Sequence, residues 1–280
     1  MIPYFQFIHI NLGPITIYVW GLFVALGILA AAWLANFLAK RYILSSPLIL
    51  DASLAAIIGG FLGARIFHVI FYEAAFYLQN PLEVFYIWHG GFSSFGGFLG
   101  ALAAVWIFLK IRHLTYKEFL PYVDLLTTSL WLGWGIGRIG CFLIHDHPGT
   151  LTNFIGAVRF PMLAVTDSNI PMPEDPIYFI PRHDLGLYES ILGFILFGLS
   201  WVLLPRLAKK QWGLLANITW LIYAVARFGL DFLRATDLEN SDARYGGLTP
   251  AQWGMLALIF ALTSVLLYGR LKPSKLRNTK

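Results

Sequence analysis

The stretch PITIYVWGLFVALGILAAAWLANFL, Pro14–Leu38, runs for 25 residues without a charged side chain. A helix needs about 20 apolar residues to cross the hydrocarbon core of a bilayer, so this run is long enough to span one. No basic segment precedes it and no small-residue cleavage pattern follows it, so it reads as a retained span and not as a removed signal peptide. Six more runs repeat the pattern: Ala52–Tyr72, Phe92–Leu109, Phe119–Ile144, Gly186–Leu204, Trp212–Leu230 and Pro250–Tyr268. They are long and do not alternate, which argues against the strands of a membrane barrel. Charged residues make up 12% of the 280-residue chain and hydrophobic residues 58%. A soluble domain carries about 25% charged residues, and a soluble chain of this composition would have to expose too much apolar surface. The expected fold is an all-α integral membrane protein with seven transmembrane helices, a single polytopic domain over residues 1–280.

The cations orient it. Thirteen of the 20 Lys and Arg residues follow the first, third, fifth and seventh runs: Lys40, Arg41, Lys110, Arg112, Lys117, Arg206, Lys209, Lys210, Arg270, Lys272, Lys275, Arg277 and Lys280. By the positive-inside rule that side is cytoplasmic, so the N-terminus lies outside and the C-terminus inside. The longest outer connection, residues 145–185, is rich in proline. It reads as a small outward-facing cap of turns and short strands between helices 4 and 5. No internal repeat or inverted pair of halves is visible, which weighs against a transporter. The single cysteine, Cys141, excludes an intrachain disulfide and a multi-cysteine metal cluster.

All eight lysines fall on the cytoplasmic side, while the seven remaining cations are all arginine: Arg65, Arg138, Arg159, Arg182, Arg227, Arg234 and Arg244. Arginine stays charged when desolvated and grips phosphate or carboxylate with a two-bond fork. The set points to an anionic head group, against the plainer reading that each arginine makes an internal ion pair. Tyr223, Arg227, Asp231 and Arg234 are spaced four, four and three, one face of the sixth helix. Arg227 and Asp231 can pair, and ionisable groups within spans are usually functional. Arg65, His68 and Tyr72 share a face of the second helix beside Gly59, Gly60 and Gly63, small residues that also suit close helix packing. The loop WHGGFSSFGGFLG, Trp88–Gly100, contains Gly90, Gly91, Gly96 and Gly97. It is a broken entry to the third helix whose N–H groups could hold an anion, or a plain glycine hinge.

In GRIGCFLIHDHPG, Gly137–Gly149, Arg138, Cys141 and His145 are spaced three and four, on one face as the fourth helix emerges. His145 and His147 could hold zinc with help from Asp146, His183 or Asp184, but a His-x-His pair alone is a weak signal. The residues read better as an anion-gripping arginine beside groups that handle protons, with no metal.

These pieces, in order, resemble the prolipoprotein diacylglyceryl transferase family. GGFLGARIFHVIFY, GGFSSFGG, the Gly-Arg signature, HDLGLYES and YAVARFGLDFLR carry the resemblance over about Gly59–Gln252. It implies a seven-span enzyme of the bacterial cytoplasmic (inner) membrane that needs no cofactor. It implies transfer of the diacylglyceryl group of phosphatidylglycerol to the lipobox cysteine thiol of a prolipoprotein, with release of glycerol phosphate. The partners implied are that lipid and lipobox segments, with no nucleic acid. Arg138 is similar to the family's arginine at the phospholipid, Tyr223, Arg227 and Arg234 to its sixth-span stripe, and Tyr188 and Glu189 to its Leu-Tyr-Glu element. Asp231 stands where a glutamate is usual. Cys141 stands at a usual asparagine, Asp146 at a usual glutamate and Phe95 at a usual histidine, while His89 precedes the first Gly-Gly pair. The reaction needs a held phosphate and a thiolate nucleophile. The expected catalytic set is therefore Arg138, Arg227 and Asp231, with one base among His89, His145 and His147. The expected substrate contacts are Arg65, Tyr223, Arg234, Gly90, Gly91, Gly96, Gly97, Asp146, Tyr188 and Glu189. A non-catalytic protein that binds or transports anionic phospholipid is the alternative.

Overall fold

A computed structural model describes residues 1–86, 90–161, 179–238 and 244–271. The chain is mostly helical. Strands β1 (His9–Leu12) and β2 (Ile15–Tyr18) form a hairpin that pairs His9 with Tyr18. The first span therefore begins at Val19 and not at Pro14, because the alternating residues on both sides of Gly13-Pro14 satisfy their backbone across a turn. The helices are α1 (Val19–Arg41), α2 (Ser46–Phe71), α3 (Ala74–Gln79), α4 (Ser94–Ile111), α5 (Tyr116–Ile144), α6 (Leu185–Leu207), α7 (Leu214–Leu230) and α8 (Pro250–Leu271). Short 3-10 turns cover Pro81–Phe85 and Asp231–Leu233.

Among the described residues, five helices are long and apolar enough to cross a membrane: Val19–Arg41, Ser46–Phe71, Leu185–Leu207, Leu214–Leu233 and Pro250–Tyr268. Gly96–Ile111 is apolar but shorter. Helix α5 has 29 residues, but it carries buried polar side chains, Asp124, Thr127, Thr128 and Ser129, that dilute its hydropathy. Leu29, Trp33, Leu54, Ile58, Ile195 and Phe260 are exposed on these helices, as lipid-facing positions must be. The all-α expectation needs one amendment, since the described residues also hold two small sheets. The second is antiparallel, in the order β3 (Pro148–Leu151), β5 (Phe179–Asp184), β4 (Val158–Pro161), and lies within the stretch expected to form a cap.

The chain divides into two compact units, Ala32–Leu126 and Met1–Ala31 with Thr127–Lys280. In the first, α2 and α4 meet backbone to backbone. A Cβ on Gly100 would stand 2.2 Å from the Gly59 oxygen, and one on Gly63 would stand 2.5 Å from the Gly96 oxygen. Only small residues allow this approach. In the second unit, Gly193 of α6 abuts Gly135 of α5, where a Cβ would meet the Gly135 nitrogen at 2.8 Å. Ser190 Oγ donates to the Gly135 oxygen at 2.9 Å. This contact draws α5 and α6 together one turn below the charged side chains described next. Trp131, Leu196 and Tyr223 form the core beneath them, with Trp131 and Trp220 rings 4.8 Å apart.

Candidate active site

Four ionisable side chains from three helices form one buried chain. Asp184 caps α6, its Oδ1 accepting from the Leu187 nitrogen at 2.9 Å. The first turns of α6 then carry Glu189 inward, where it is 1% exposed. Arg138 Nη2 of α5 lies 2.9 Å from Glu189 Oε2, and Arg227 Nε of α7 lies 3.2 Å from Glu189 Oε1. Arg227 Nη1 donates to Asp231 Oδ1 at 2.6 Å. Asp231 Oδ2 accepts from the Thr249 hydroxyl at the start of α8. Two guanidinium groups and two carboxylates thus balance, which is what burial of all four requires. Thr249 and Gln252 were missed in the sequence, although LTPAQ before an apolar run is a capping signal. The Thr249 nitrogen donates to Gln252 Oε1 at 3.0 Å and the Gln252 nitrogen to Thr249 Oγ1 at 3.1 Å, a reciprocal cap.

Arg138 is the least buried member of the pair of arginines, with 18% of its side chain exposed against 10% for Arg227. Its guanidinium carbon lies 4.6 Å from the centre of the Trp134 ring. Among the described residues its Nη1 meets a weak acceptor, Cys141 Sγ, at 3.7 Å. That donor can turn to an incoming anion without breaking the Glu189 pair. Tyr223 is buried in the Trp131, Trp134 and Trp220 cluster and supports Arg227 from behind. Along the same helix pair, Tyr188, Ile191, Leu192, Ile195, Ala226 and Leu230 help line an apolar cavity of about 430 Å³. The Tyr188 hydroxyl lies 2.8 Å from His183 Nδ1. Burial pushes the His183 imidazole below its usual value.

The histidines divide. His145 takes a left-handed φ of 53° just after α5 ends. Its ring packs among Tyr4, Phe5, Phe142 and Phe160, and its Nδ1 is 2.6 Å from Asp184 Oδ2. It joins the end of α5 to the cap of α6. The expected common face of Arg138, Cys141 and His145 is corrected accordingly, because the helix stops one residue short of it. His147 remains partly exposed, with its Nδ1 on Asp146 Oδ1. His89 lies outside the described residues, as does the Phe95 side chain.

The glycine loop holds partners within its own unit. In the unit Ala32–Leu126, Gly90 and Gly91 have positive φ, 84° and 77°. Their carbonyls point at Arg65, Gly91 at 3.1 Å. Arg65 donates further to the oxygens of Val84 at 3.1 Å, Glu83 at 2.6 Å and Tyr86 at 3.4 Å. It is an internal pin for this loop. The Gly96 nitrogen donates to Ser93 Oγ at 3.3 Å and the Gly97 nitrogen to the Ser93 oxygen at 2.9 Å, so both donors are used by the helix cap. Arg234 keeps its backbone in a bridge with Gly149, where a Cβ would meet the Leu233 oxygen at 2.5 Å.

Residues 7–268 match the family described as prolipoprotein diacylglyceryl transferase. The chain is 30% identical over 267 residues to a phosphatidylglycerol–prolipoprotein diacylglyceryl transferase of Chromohalobacter salexigens, covering 95% of this chain and 93% of the relative. Enzymes of the same name from Nitratidesulfovibrio vulgaris and Acinetobacter baumannii are each 32% identical. They cover 88% of this chain, and 86% and 85% of the relatives.

Proposed function

The chain belongs to the prolipoprotein diacylglyceryl transferase family, and we propose from that premise how its own residues carry the reaction. It is a multi-pass membrane enzyme that transfers the diacylglyceryl group of phosphatidylglycerol to the lipobox cysteine of a prolipoprotein. Glycerol phosphate leaves, and no cofactor takes part. In the finer reading, α4 and α5 join the five helices named above as spans of the bacterial cytoplasmic membrane. The N-terminus and the 145–185 cap face outward.

The observation that carries the mechanism is the chain Arg138–Glu189–Arg227–Asp231 with one Arg138 donor turned to a weak acceptor. The lipid phosphate takes that donor. Glu189 holds Arg138 and Arg227 in place, and Asp231 fixes Arg227 from its far side. Arg234 extends the same stripe toward the outer surface. The apolar cavity beside α6 and α7, with Tyr188 at its edge, accepts part of an acyl chain. The lipobox thiolate attacks the glycerol carbon that bears the phosphate. A C–S bond forms, the C–O bond to phosphate breaks, and the arginines receive the charge that develops on the leaving oxygen. The thiol proton goes to His147, oriented by Asp146, because of the two described candidates His145 is buried and committed to the cap of α6. Arg65 and the glycines around it serve the fold of their own unit.

Purified protein mixed with phosphatidylglycerol and a lipobox peptide should add the diacylglyceryl mass to the peptide and release glycerol phosphate. A chelator should not lower the rate. Lipid binding without any mass shift would establish the non-catalytic alternative.

A further inference from the structure

The His-x-His pair offers the sequence its obvious metal ligands, and the structure separates them. His145 is committed to Asp184 at 2.6 Å. His147 and Asp146 instead gather with Cys141, one turn back on α5. One ligand atom from each of Cys141, Asp146 and His147 lies within 4.8 Å of the other two.

We propose that Cys141, Asp146 and His147 form a binding site for a borderline-soft divalent cation, Zn²⁺ being the best match, with a fourth position open. A thiolate, an imidazole and a carboxylate are a zinc donor set, whereas Mg²⁺ and Ca²⁺ take oxygen. Tetrahedral zinc, at about 2.3 Å from sulfur and about 2.1 Å from nitrogen or oxygen, needs donors about 3.4–3.6 Å apart. Cys141 is fixed in α5, but Asp146 and His147 are partly exposed and can rotate to close the difference. Asp146 Oδ1 and His147 Nδ1 are in contact. In the metal-free chain the imidazole N–H donates to the carboxylate, and a metal would take the place of that proton. Arg138 does not bar the ion. Its charge is matched by Glu189 at 2.9 Å, and its Nη1 lies 3.7 Å from the sulfur. Binding releases the thiol proton to solvent.

Occupancy withdraws His147 and Asp146 from proton transfer and sets a dication beside Arg138, so the bound metal inhibits the enzyme. This consequence rests on the transferase reading above, whereas the site itself does not.

The full-length protein, stripped with chelator and titrated with Co²⁺, should bind one ion per chain and show a thiolate-to-cobalt charge-transfer band that Zn²⁺ abolishes. Cys141→Ser should remove the band. His147→Gln and Asp146→Asn should each weaken zinc at least about 100-fold, since even outer-shell changes cost 10–100-fold. His9→Gln, in the exposed hairpin, should leave binding unchanged. No band, or a band that survives Cys141→Ser, overturns the site. If Cys141→Ser fails to fold, the partly exposed His147→Gln decides: unchanged zinc affinity there overturns the site equally. Added zinc should slow transfer at least tenfold in the unaltered chain and leave the rate of Cys141→Ser, whatever that rate is, unmoved. A cobalt band without inhibition sinks the inhibitory consequence. A cobalt band in a protein that never transfers the diacylglyceryl group counts against the preceding functional reading alone.

Discussion

Arg65 and Arg138 are both arginines set in apolar helices close to glycines, and their surroundings are opposite in kind. Arg65 ends on the main-chain oxygens of five residues between Glu83 and Gly91. Arg138 ends on one carboxylate that it shares with Arg227, and on a thiol. Main-chain carbonyls are fixed by the fold of the loop, so an incoming anion cannot take their place without undoing it. A shared carboxylate and a weak sulfur acceptor leave room for another anion. Burial does not separate a structural arginine from a working one here; the kind of acceptor does. Arg182 lies between the two cases, with one carbonyl, Gly149 at 3.0 Å, and a forked pair to Asp237 at 2.9 and 2.5 Å.

The largest effect should come from the arginine with exchangeable partners. Arg138→Lys keeps the charge but loses the fork, and transfer measured by peptide mass should fall at least about 100-fold, as for loss of a transition-state donor. The variant should still insert and melt cooperatively. Near-normal turnover would erase the distinction drawn above. Arg65→Lys should act on stability instead. Three ammonium donors cannot serve five carbonyls, and each hydrogen bond lost costs about 0.5–1.5 kcal/mol. The melting temperature in detergent should drop, while the surviving folded protein keeps its affinity for phosphatidylglycerol. A normal melt with lost lipid affinity would move Arg65 into the site.

Two glycine substitutions sharpen the same contrast at lower amplitude. Gly100→Ala forces a Cβ against the Gly59 oxygen and should cost about 1–3 kcal/mol of stability, as overpacking does. Gly137, the neighbour of Arg138, has nothing within 4 Å of an added Cβ. Gly137→Ala should therefore gain several tenths of a kcal/mol up to about 1 kcal/mol from helix propensity. The same methyl should raise the KM for lipid, because it fills space beside the guanidinium. A stabilised variant with an unchanged KM would show that lipid does not use that space.

The smallest effect belongs to the intermediate case. Hydrogen bonding to Arg182 holds the Asp237 carboxyl below the usual carboxylate range. Its folded value is thus below its unfolded value, near 3.9. The stabilisation is present above that unfolded value and lost as pH falls through the folded one. Asp237 is about half exposed, so the gain is modest. Melting curves of the unaltered protein and Asp237→Asn should differ slightly at neutral pH and converge below about pH 4. A gap that persists in acid would mean that the pair contributes through packing.

Much of this was legible in the sequence, and the exceptions share a cause. Apolar length gave the helices, and the spacing of Arg227 and Asp231 gave their ion pair, because both depend on neighbours within one helix. The hairpin was hidden because Ile15–Tyr18 is as apolar as the helix that follows. The role of Arg65 was not legible because its acceptors come from residues 18–26 positions later. The role of His145 was not legible because its partner, Asp184, lies 39 residues away. Helical spacing also carried the Arg138 face one residue too far, past a backbone that had already turned left-handed.

The threonine at the mouth of α8 ties the charged chain to the order of synthesis. Thr249 begins α8 and completes the shell of Asp231 with the same hydroxyl, while Gln252 Nε2 reaches back to the Phe228 oxygen of α7 at 3.2 Å. Helix α8 leaves the ribosome after every other element of this chain. Until it enters the membrane, Asp231 lacks the Thr249 hydroxyl and α7 lacks one of its neighbours. A half-made protein in the translocon therefore carries both arginines but not the finished grip. The charged chain is complete only once the eighth helix is in place.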